Sequence, residues 1–186
     1  ATLLRTAYEC FSIDHKPEIT LEANPDDITK EKAEAWFAMG INRLSIGIQI
    51  FHQSELSMMN RAHDPQCAIN CVRIAQEVGF KNISIDLIYG MPESDFDSWV
   101  EVLKKVRELN VQHISAYALT VEQKTALHHM VNTGKIKELD EETVIAQFEY
   151  LRLWARQQGF EHYELSNFAQ QGFRSRHNSH YWSHKS

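Results

Sequence analysis

The segment NISIDLIYGMP, residues 82–92, decides the fold class of this 186-residue chain. Apolar residues at 83, 85, 87 and 89 alternate with Ser84 and Asp86, and the run ends at Gly90 and Pro92, which stop a strand. The pattern predicts a buried strand that carries one carboxylate. A charged Asp in such a strand costs several kcal/mol unless a partner satisfies it. Asp86 therefore caps a turn, pairs with a buried Arg, or contacts a ligand.

Similar patterns on both sides of this strand predict alternating strands and helices. The other predicted strands are 18–22, 43–51, 113–119 and a short one at 160–165, and the predicted helices are 1–11, 30–39, 66–78, 96–109 and 141–158. Residues 122–140 are predicted as a long loop or a marginal helix, and no clear period follows residue 165. The alternation indicates α/β units on a parallel sheet, either doubly wound or part of a (β/α) barrel.

Composition excludes several classes of protein. With 43% hydrophobic and 24% charged residues, the chain suits one sizeable core. The net charge of −6 and the lack of a basic run argue against nucleic acid or an anionic membrane as a partner. No long apolar run or signal segment is present, so we expect a cytoplasmic location. The sparse, odd set of Cys10, Cys67 and Cys71 argues against a disulfide scaffold.

Polar residues near the ends of the predicted strands indicate a ligand site. Glu22 ends its strand, Gln49 lies near the end of the next, and Asp86 precedes Gly90 by four residues. Because the carboxyl ends of parallel strands meet at one edge of a sheet, these side chains should converge. Two carboxylates and an amide can accept hydrogen bonds from ribose hydroxyls or an ammonium group, and Arg61 could hold a carboxylate. A solvated strand end, a core amide and a surface cation remain the alternatives for Glu22, Gln49 and Arg61.

Five blocks of the sequence follow one another in order: EITLEANPDDIT at 18–29, GINRLSIGIQIF at 40–51, NRAH at 60–63, ISIDLIYGMP at 83–92 and ISAYALTVE at 114–122. With these blocks the chain resembles the radical S-adenosylmethionine family that includes oxygen-independent coproporphyrinogen III oxidase. The segment YELSNFAQQGFRSRHNSHYW at 163–182 is similar to the haem chaperone branch of that family, HemW, whose marker is the HNxxYW motif.

The resemblance implies a fold, cofactors and site residues. The fold would be a partial (β/α)6 barrel with parallel strands, and the cofactors would be S-adenosylmethionine, a [4Fe-4S] cluster and haem. Family positions that contact S-adenosylmethionine fall on Glu22, Gln49, Arg61 and Asp86. His177 of the HNxxYW motif would be a haem ligand, with a structural histidine as the alternative and His180 and His184 as other candidates.

The chain also departs from the family pattern. The CxxxCxxC motif that holds the cluster and the GGGTP block are both missing from this sequence. We therefore expect an internal fragment with no metal ligands and no activity of its own. Residues 1–165 would form a barrel core without its first two units, and 166–186 would begin the C-terminal segment. An exposed sheet edge in such a fragment predicts self-association.

Two functions follow from the resemblance. The first is a haem chaperone that transfers haem to an unidentified acceptor protein, with membrane association only through that acceptor. The second is an oxygen-independent coproporphyrinogen III dehydrogenase, which decarboxylates two propionate side chains to vinyl groups. The HNxxYW motif favours the chaperone, and the four S-adenosylmethionine positions suit both.

Overall fold

A computed structural model of the chain describes residues 2–92, 94–137 and 140–182. Six strands and eight helices follow one another along these residues. The strands are β1 Thr20–Ala23, β2 Arg43–Gln49, β3 Ile83–Tyr89, β4 His113–Ala118, β5 Glu161–His162 and β6 Asn167–Ala169. The helices are α1 Thr2–Cys10, α2 Lys30–Ala38, α3 Gln53–Met58, α4 Pro65–Val78, α5 Phe96–Leu109, α6 Ala126–Asn132, α7 Glu141–Gln157 and α8 Arg176–Trp182, with a 3₁₀ turn at Pro25–Asp27.

The strands form one sheet in the order β1-β2-β3-β4-β6-β5. The first four strands are parallel, which confirms the predicted α/β fold. The short strand β5 covers two residues of the predicted 160–165 and runs antiparallel to β6, which in turn is antiparallel to β4. Strands β5 and β6 lie on the two sides of the predicted boundary between residues 165 and 166 and pair with each other in one sheet. The division of the chain into residues 1–165 and 166–186 stays a proposal.

Helices cover one face of the sheet. The alternate side chains of β2, β3 and β4 on that face are apolar, and all except Ala118 at the end of β4 are buried in a single core with Trp99 of α5 and Leu151 of α7. Neighbouring helices contact one another in the order α2, α4, α5 and α7 across this face. In a (β/α) barrel the helices cover only the outer face of the sheet, whereas a doubly wound sheet carries helices on both faces. The arrangement in this chain is therefore that of a barrel segment.

Side-chain caps begin the long helices where the sequence predicts them. The hydroxyl of Thr29 accepts a hydrogen bond from the Lys32 amide at the start of α2, and Asp95 accepts one from the Ser98 amide at the start of α5. The short helix α6 lies in the segment 122–140, which is predicted as a long loop or a marginal helix, and α8 lies after residue 165, where the sequence shows no clear period. In the described part of the chain, no helix is both long and apolar enough to cross a membrane.

Candidate functional site

The face of the sheet that the helices leave free is polar and lines a cleft of about 610 Å³. We call this cavity the polar cleft. Its wall consists of side chains from β1 to β4 and from the start of α8: Thr20, Glu22, Arg43, Ser45, Gln49, Asp86, Ile88, Ser115, Tyr117, Ser175, His177 and Asn178. Of the five sequence-predicted site residues, the cleft therefore brings together Glu22, Gln49, Asp86 and His177.

Gln49 ends β2 in an unusual backbone conformation. Its φ is 68°, and the Ile50 amide donates to the Ile48 carbonyl at 2.9 Å, so Gln49 is the central residue of a γ-turn. The register between β2 and β3 also shifts here, between Ile46 and Gln49. A left-handed backbone costs a non-glycine residue roughly 1–2 kcal/mol. The strain is localised where the side chain turns into the polar cleft, a position typical of functional sites.

Gly47 makes room for the Gln49 side chain. A Cβ at Gly47 would lie 2.9 Å from Nε2 of Gln49 and 3.7 Å from Oδ1 of Asn24. Glycine in a strand often marks such a close approach. The absence of a side chain at residue 47 thus lets the Gln49 amide lie against the strand.

Asp86 lies in the middle of β3 and faces β2. The Ser45 hydroxyl donates to Oδ1 of Asp86 at 3.2 Å and lies 3.5 Å from its Oδ2. Burial raises the pKa of Asp86, while the serine hydroxyls beside it and the positive charge of Arg43 act in the opposite direction. The carboxylate is thus neither a turn cap nor part of a salt bridge within the described residues. It remains available to a ligand in the cleft.

Arg61 does not line the polar cleft. Its Nη1 donates to Oδ1 of Asn24 at 3.0 Å, and that same oxygen lies beside Gly47. Arg61 is therefore separated from the Gln49 region by the Asn24 side chain. The role of Arg61 stays a prediction, and the sequence does not indicate this intervening residue.

A buried polar network connects the sheet to the segment before α8. Nδ1 of His113 lies 2.7 Å from Oγ of Ser84, and Nε2 of His113 lies 2.7 Å from the hydroxyl of Tyr163. The Ser175 amide donates to the same Tyr163 hydroxyl at 3.4 Å. Burial lowers the pKa of His113 to about 3, and the charge of Arg43 adds to the effect, so this imidazole is neutral. The network positions the start of α8 over the cleft.

A second cavity of about 310 Å³ adjoins the polar cleft, and we call it the aromatic groove. Its lining residues are Tyr117, Glu164, Leu165, Ser166, Asn167, His177, Asn178, Tyr181 and Trp182. Tyr181 and Trp182 are 71% and 59% exposed and meet edge to face with ring centroids 5.6 Å apart. Tyr117, His177 and Asn178 line both cavities, so they form the wall between them. His184 lies outside the described residues.

Sequence reasoning missed several residues of the polar cleft, among them Arg43, Ser45, Ser115 and Tyr117. The sequence pattern could have identified them. Positions 43, 45, 47 and 49 alternate with apolar residues, and so do positions 113, 115 and 117. Two-residue alternation places each set on one face of its strand. Applied to β2 and β4 as it was to β3, this rule finds the polar face.

The cysteines of this chain do not fit an iron–sulfur cluster. Cys71 is buried, its Sγ donates to the Ala68 carbonyl at 3.1 Å, and burial raises its pKa to about 12. Cys10 is exposed on α1, far along the chain from Cys67 on α4. Within the described ranges, no group of three or more His, Cys, Asp or Glu side chains could hold a metal ion. The expectation that this stretch holds no cluster ligand stays a prediction.

Comparison with known proteins identifies the family. The family model described as Radical SAM superfamily matches residues 2–106. The chain belongs to the Radical SAM superfamily. Membership confirms the family resemblance seen in the sequence, and it implies S-adenosylmethionine and a [4Fe-4S] cluster as cofactors.

Two relatives and one solved structure are similar over most of this chain. The chain is 34% identical over 168 residues to "Heme chaperone HemW" from Bacillus subtilis, covering 90% of this chain and 44% of that protein. It is 33% identical over 182 residues to "Radical S-adenosyl methionine domain-containing protein 1, mitochondrial" from Bos taurus, covering 98% and 41%. The structure of coproporphyrinogen III oxidase, HemN, from Escherichia coli matches with a TM-score of 0.80 and 26% identity over 92% of this chain and 39% of that one. The chain thus spans less than half the length of each of these proteins.

Proposed function

We propose that the whole protein containing this chain is a haem chaperone that binds S-adenosylmethionine and haem and transfers haem to an acceptor protein. The observation that carries the proposal is the position of His177, which lies on the wall between the polar cleft and the aromatic groove. The relatives named as haem chaperones support it, since they match the chain through α8 at the C-terminal end. A cytoplasmic location is part of the same proposal.

S-adenosylmethionine would occupy the polar cleft. Glu22 and Asp86 offer carboxylate oxygens to ribose hydroxyls and to the ammonium group, and the Gln49 amide can both donate and accept. Arg61 would join this set through Asn24 or after a change of its side-chain rotamer. The cluster and S-adenosylmethionine together supply radical chemistry when bound. The contribution of these residues is to orient the cofactor and exclude water from it.

Haem would bind in the aromatic groove with His177 as the axial ligand. A neutral imidazole is a common haem ligand, and His177 is exposed at the groove. Tyr181 and Trp182 offer exposed aromatic faces on which a macrocycle can pack. An open site with one protein ligand suits a carrier, because haem must also leave for the acceptor.

Haem titration of the whole protein tests the ligand assignment. The H177A variant should lose the Soret band of the ligated haem and bind haem at least tenfold more weakly, whereas H129A, which alters an exposed histidine of α6, should match the parent. H180A and H184A test the other two histidines of the segment. An unchanged Soret band and affinity in H177A would remove His177 from the proposal.

The second candidate is coproporphyrinogen III dehydrogenase, which the match to the oxidase structure favours. In that reaction each propionate side chain loses carbon dioxide, one proton and two electrons to become a vinyl group. The carbon dioxide is released, and S-adenosylmethionine would take up the proton and the two electrons overall as it is cleaved to methionine and 5′-deoxyadenosine. The polar cleft suits both functions, whereas the position of His177 beside exposed aromatic rings favours a haem carrier.

A further inference from the structure

Arg43, the first residue of β2, is a buried cation whose Nε is not satisfied. The residue is 5% exposed and lines the polar cleft. Among the described residues, its Nε has no hydrogen-bond partner and no carboxylate forms a salt bridge with it. A buried guanidinium is costly unless an anion pairs with it. An anionic group that enters the cleft would satisfy it.

The neighbours of Arg43 make this end of the cleft rich in hydrogen-bond donors. Thr20 pairs with Arg43 in the sheet register, and Ser175 and Asn178 line the same cavity from the start of α8. Hydroxyl and amide groups donate readily to an oxyanion. The cleft thus has donors beside Arg43.

The middle and the far end of the cleft carry hydrogen-bond acceptors. Six residues separate Arg43 from Gln49 along β2, roughly 20 Å at 3.3 Å per residue. Glu22 and Asp86 lie between these two levels of the sheet. A ligand anion would avoid these carboxylates and move toward Arg43, away from the proposed position of S-adenosylmethionine.

The donor end is also continuous with the aromatic groove. Asn178 lines both cavities, and its backbone N–H donates to the Ser175 hydroxyl at 3.3 Å. Ser175 is 2% exposed and lies at the base of α8, beside the Tyr163 hydroxyl. A chain of a few carbon atoms could therefore pass from the groove to Arg43.

We propose that Arg43 binds a propionate carboxylate of a tetrapyrrole whose ring lies in the aromatic groove. The inference rests on the proposed function, since it takes the tetrapyrrole from there. Arginine is suited to this role because its planar fork meets a carboxylate through two parallel hydrogen bonds. Haem carries two such side chains, and a bound propionate would fix the orientation of the ring relative to His177.

Porphyrins without iron test this inference separately from haem ligation. The probes are mesoporphyrin IX, which has two free propionates, and its dimethyl ester, titrated into the whole protein by fluorescence. The parent should bind the free acid about ten- to hundredfold more tightly than the ester, the range of a charge-assisted pair. R43Q should remove this preference and leave the affinity for the ester unchanged. R43K, which keeps the charge without the fork, should retain a weaker preference.

Control variants separate the possible failures. R107Q alters an exposed arginine of α5 and should match the parent. If folded R43Q prefers the acid as strongly as the parent, or if the parent binds acid and ester equally, Arg43 is not the carboxylate site and the haem proposal still stands. If R43Q does not fold, the preference of R43K for the acid over the ester is compared with that of the parent. An equally strong preference in R43K then overturns the Arg43 proposal. If the parent binds haem but no mesoporphyrin, iron ligation alone carries binding and the Arg43 proposal fails; if it binds neither, both proposals fail.

Discussion

His113 should make the stability of this fold depend on pH. Its imidazole is 0% exposed, and burial lowers its pKa from 6.5 to about 3. In the unfolded chain the imidazole takes up a proton below its ordinary pKa, while in the folded chain it stays neutral. The free energy of unfolding therefore falls as the pH drops from about 6.5 toward 3. Linkage gives a loss of about 2 kcal/mol between pH 7.5 and pH 5 for this one group.

Urea unfolding at the two pH values measures this loss. The H113Q variant keeps an amide between the hydroxyls of Ser84 and Tyr163 but cannot titrate, so its loss of stability should be smaller than the parent's by about 2 kcal/mol. H129Q, at an exposed position of α6, should lose as much as the parent. Equal losses in H113Q and the parent would refute the argument. So would a ¹³C-labelled His113 ring that titrates near pH 6.5 in the folded protein.

The remaining predictions concern the polar cleft and the sheet edge. D86N should weaken S-adenosylmethionine binding by roughly 1–3 kcal/mol in calorimetry, since it removes a charge-assisted hydrogen bond; unchanged affinity with the fold intact would remove Asp86 from the site. G47A should reduce that affinity with little change in stability, because its Cβ would displace the end of the Gln49 side chain; a loss of folding instead would contradict this. Q49G should leave stability unchanged or raise it by up to about 1 kcal/mol by relieving the positive φ, and should still lose cofactor affinity. The 186-residue chain alone should self-associate, because β1 is the edge of the sheet and offers unpaired backbone groups; a sharp monomer in sedimentation would contradict this.

The main elements were predictable because local and tertiary preferences agree in them. β3 is surrounded on its apolar face by helices, so its alternation matches its burial, with Ser84 the one buried residue on the polar side. Asp95 and Thr29 cap helices through contacts three residues away, which sequence spacing can show directly. The convergence of Glu22, Gln49 and Asp86 follows from the parallel order of three strands.

The parts that were not predictable depend on tertiary contacts. The separation of Arg61 by Asn24 arises from a contact between segments 37 residues apart. The γ-turn at Gln49 is local, but a positive φ is uncommon for a residue other than glycine, so the sequence does not indicate it. Helix α8 was not predicted because none of its residues is buried, so its sequence has no apolar period. The antiparallel strand β6 was missed because it has only three residues.

Turnover of coproporphyrinogen III tests the central claim most directly. The whole protein, with its cluster reconstituted without oxygen, should receive S-adenosylmethionine and coproporphyrinogen III in one sample and haem in another. The account predicts no sustained formation of protoporphyrinogen IX and a Soret band on addition of haem that H177A loses. Sustained turnover, with haem binding absent or indifferent to His177, would contradict the account and make the protein a dehydrogenase.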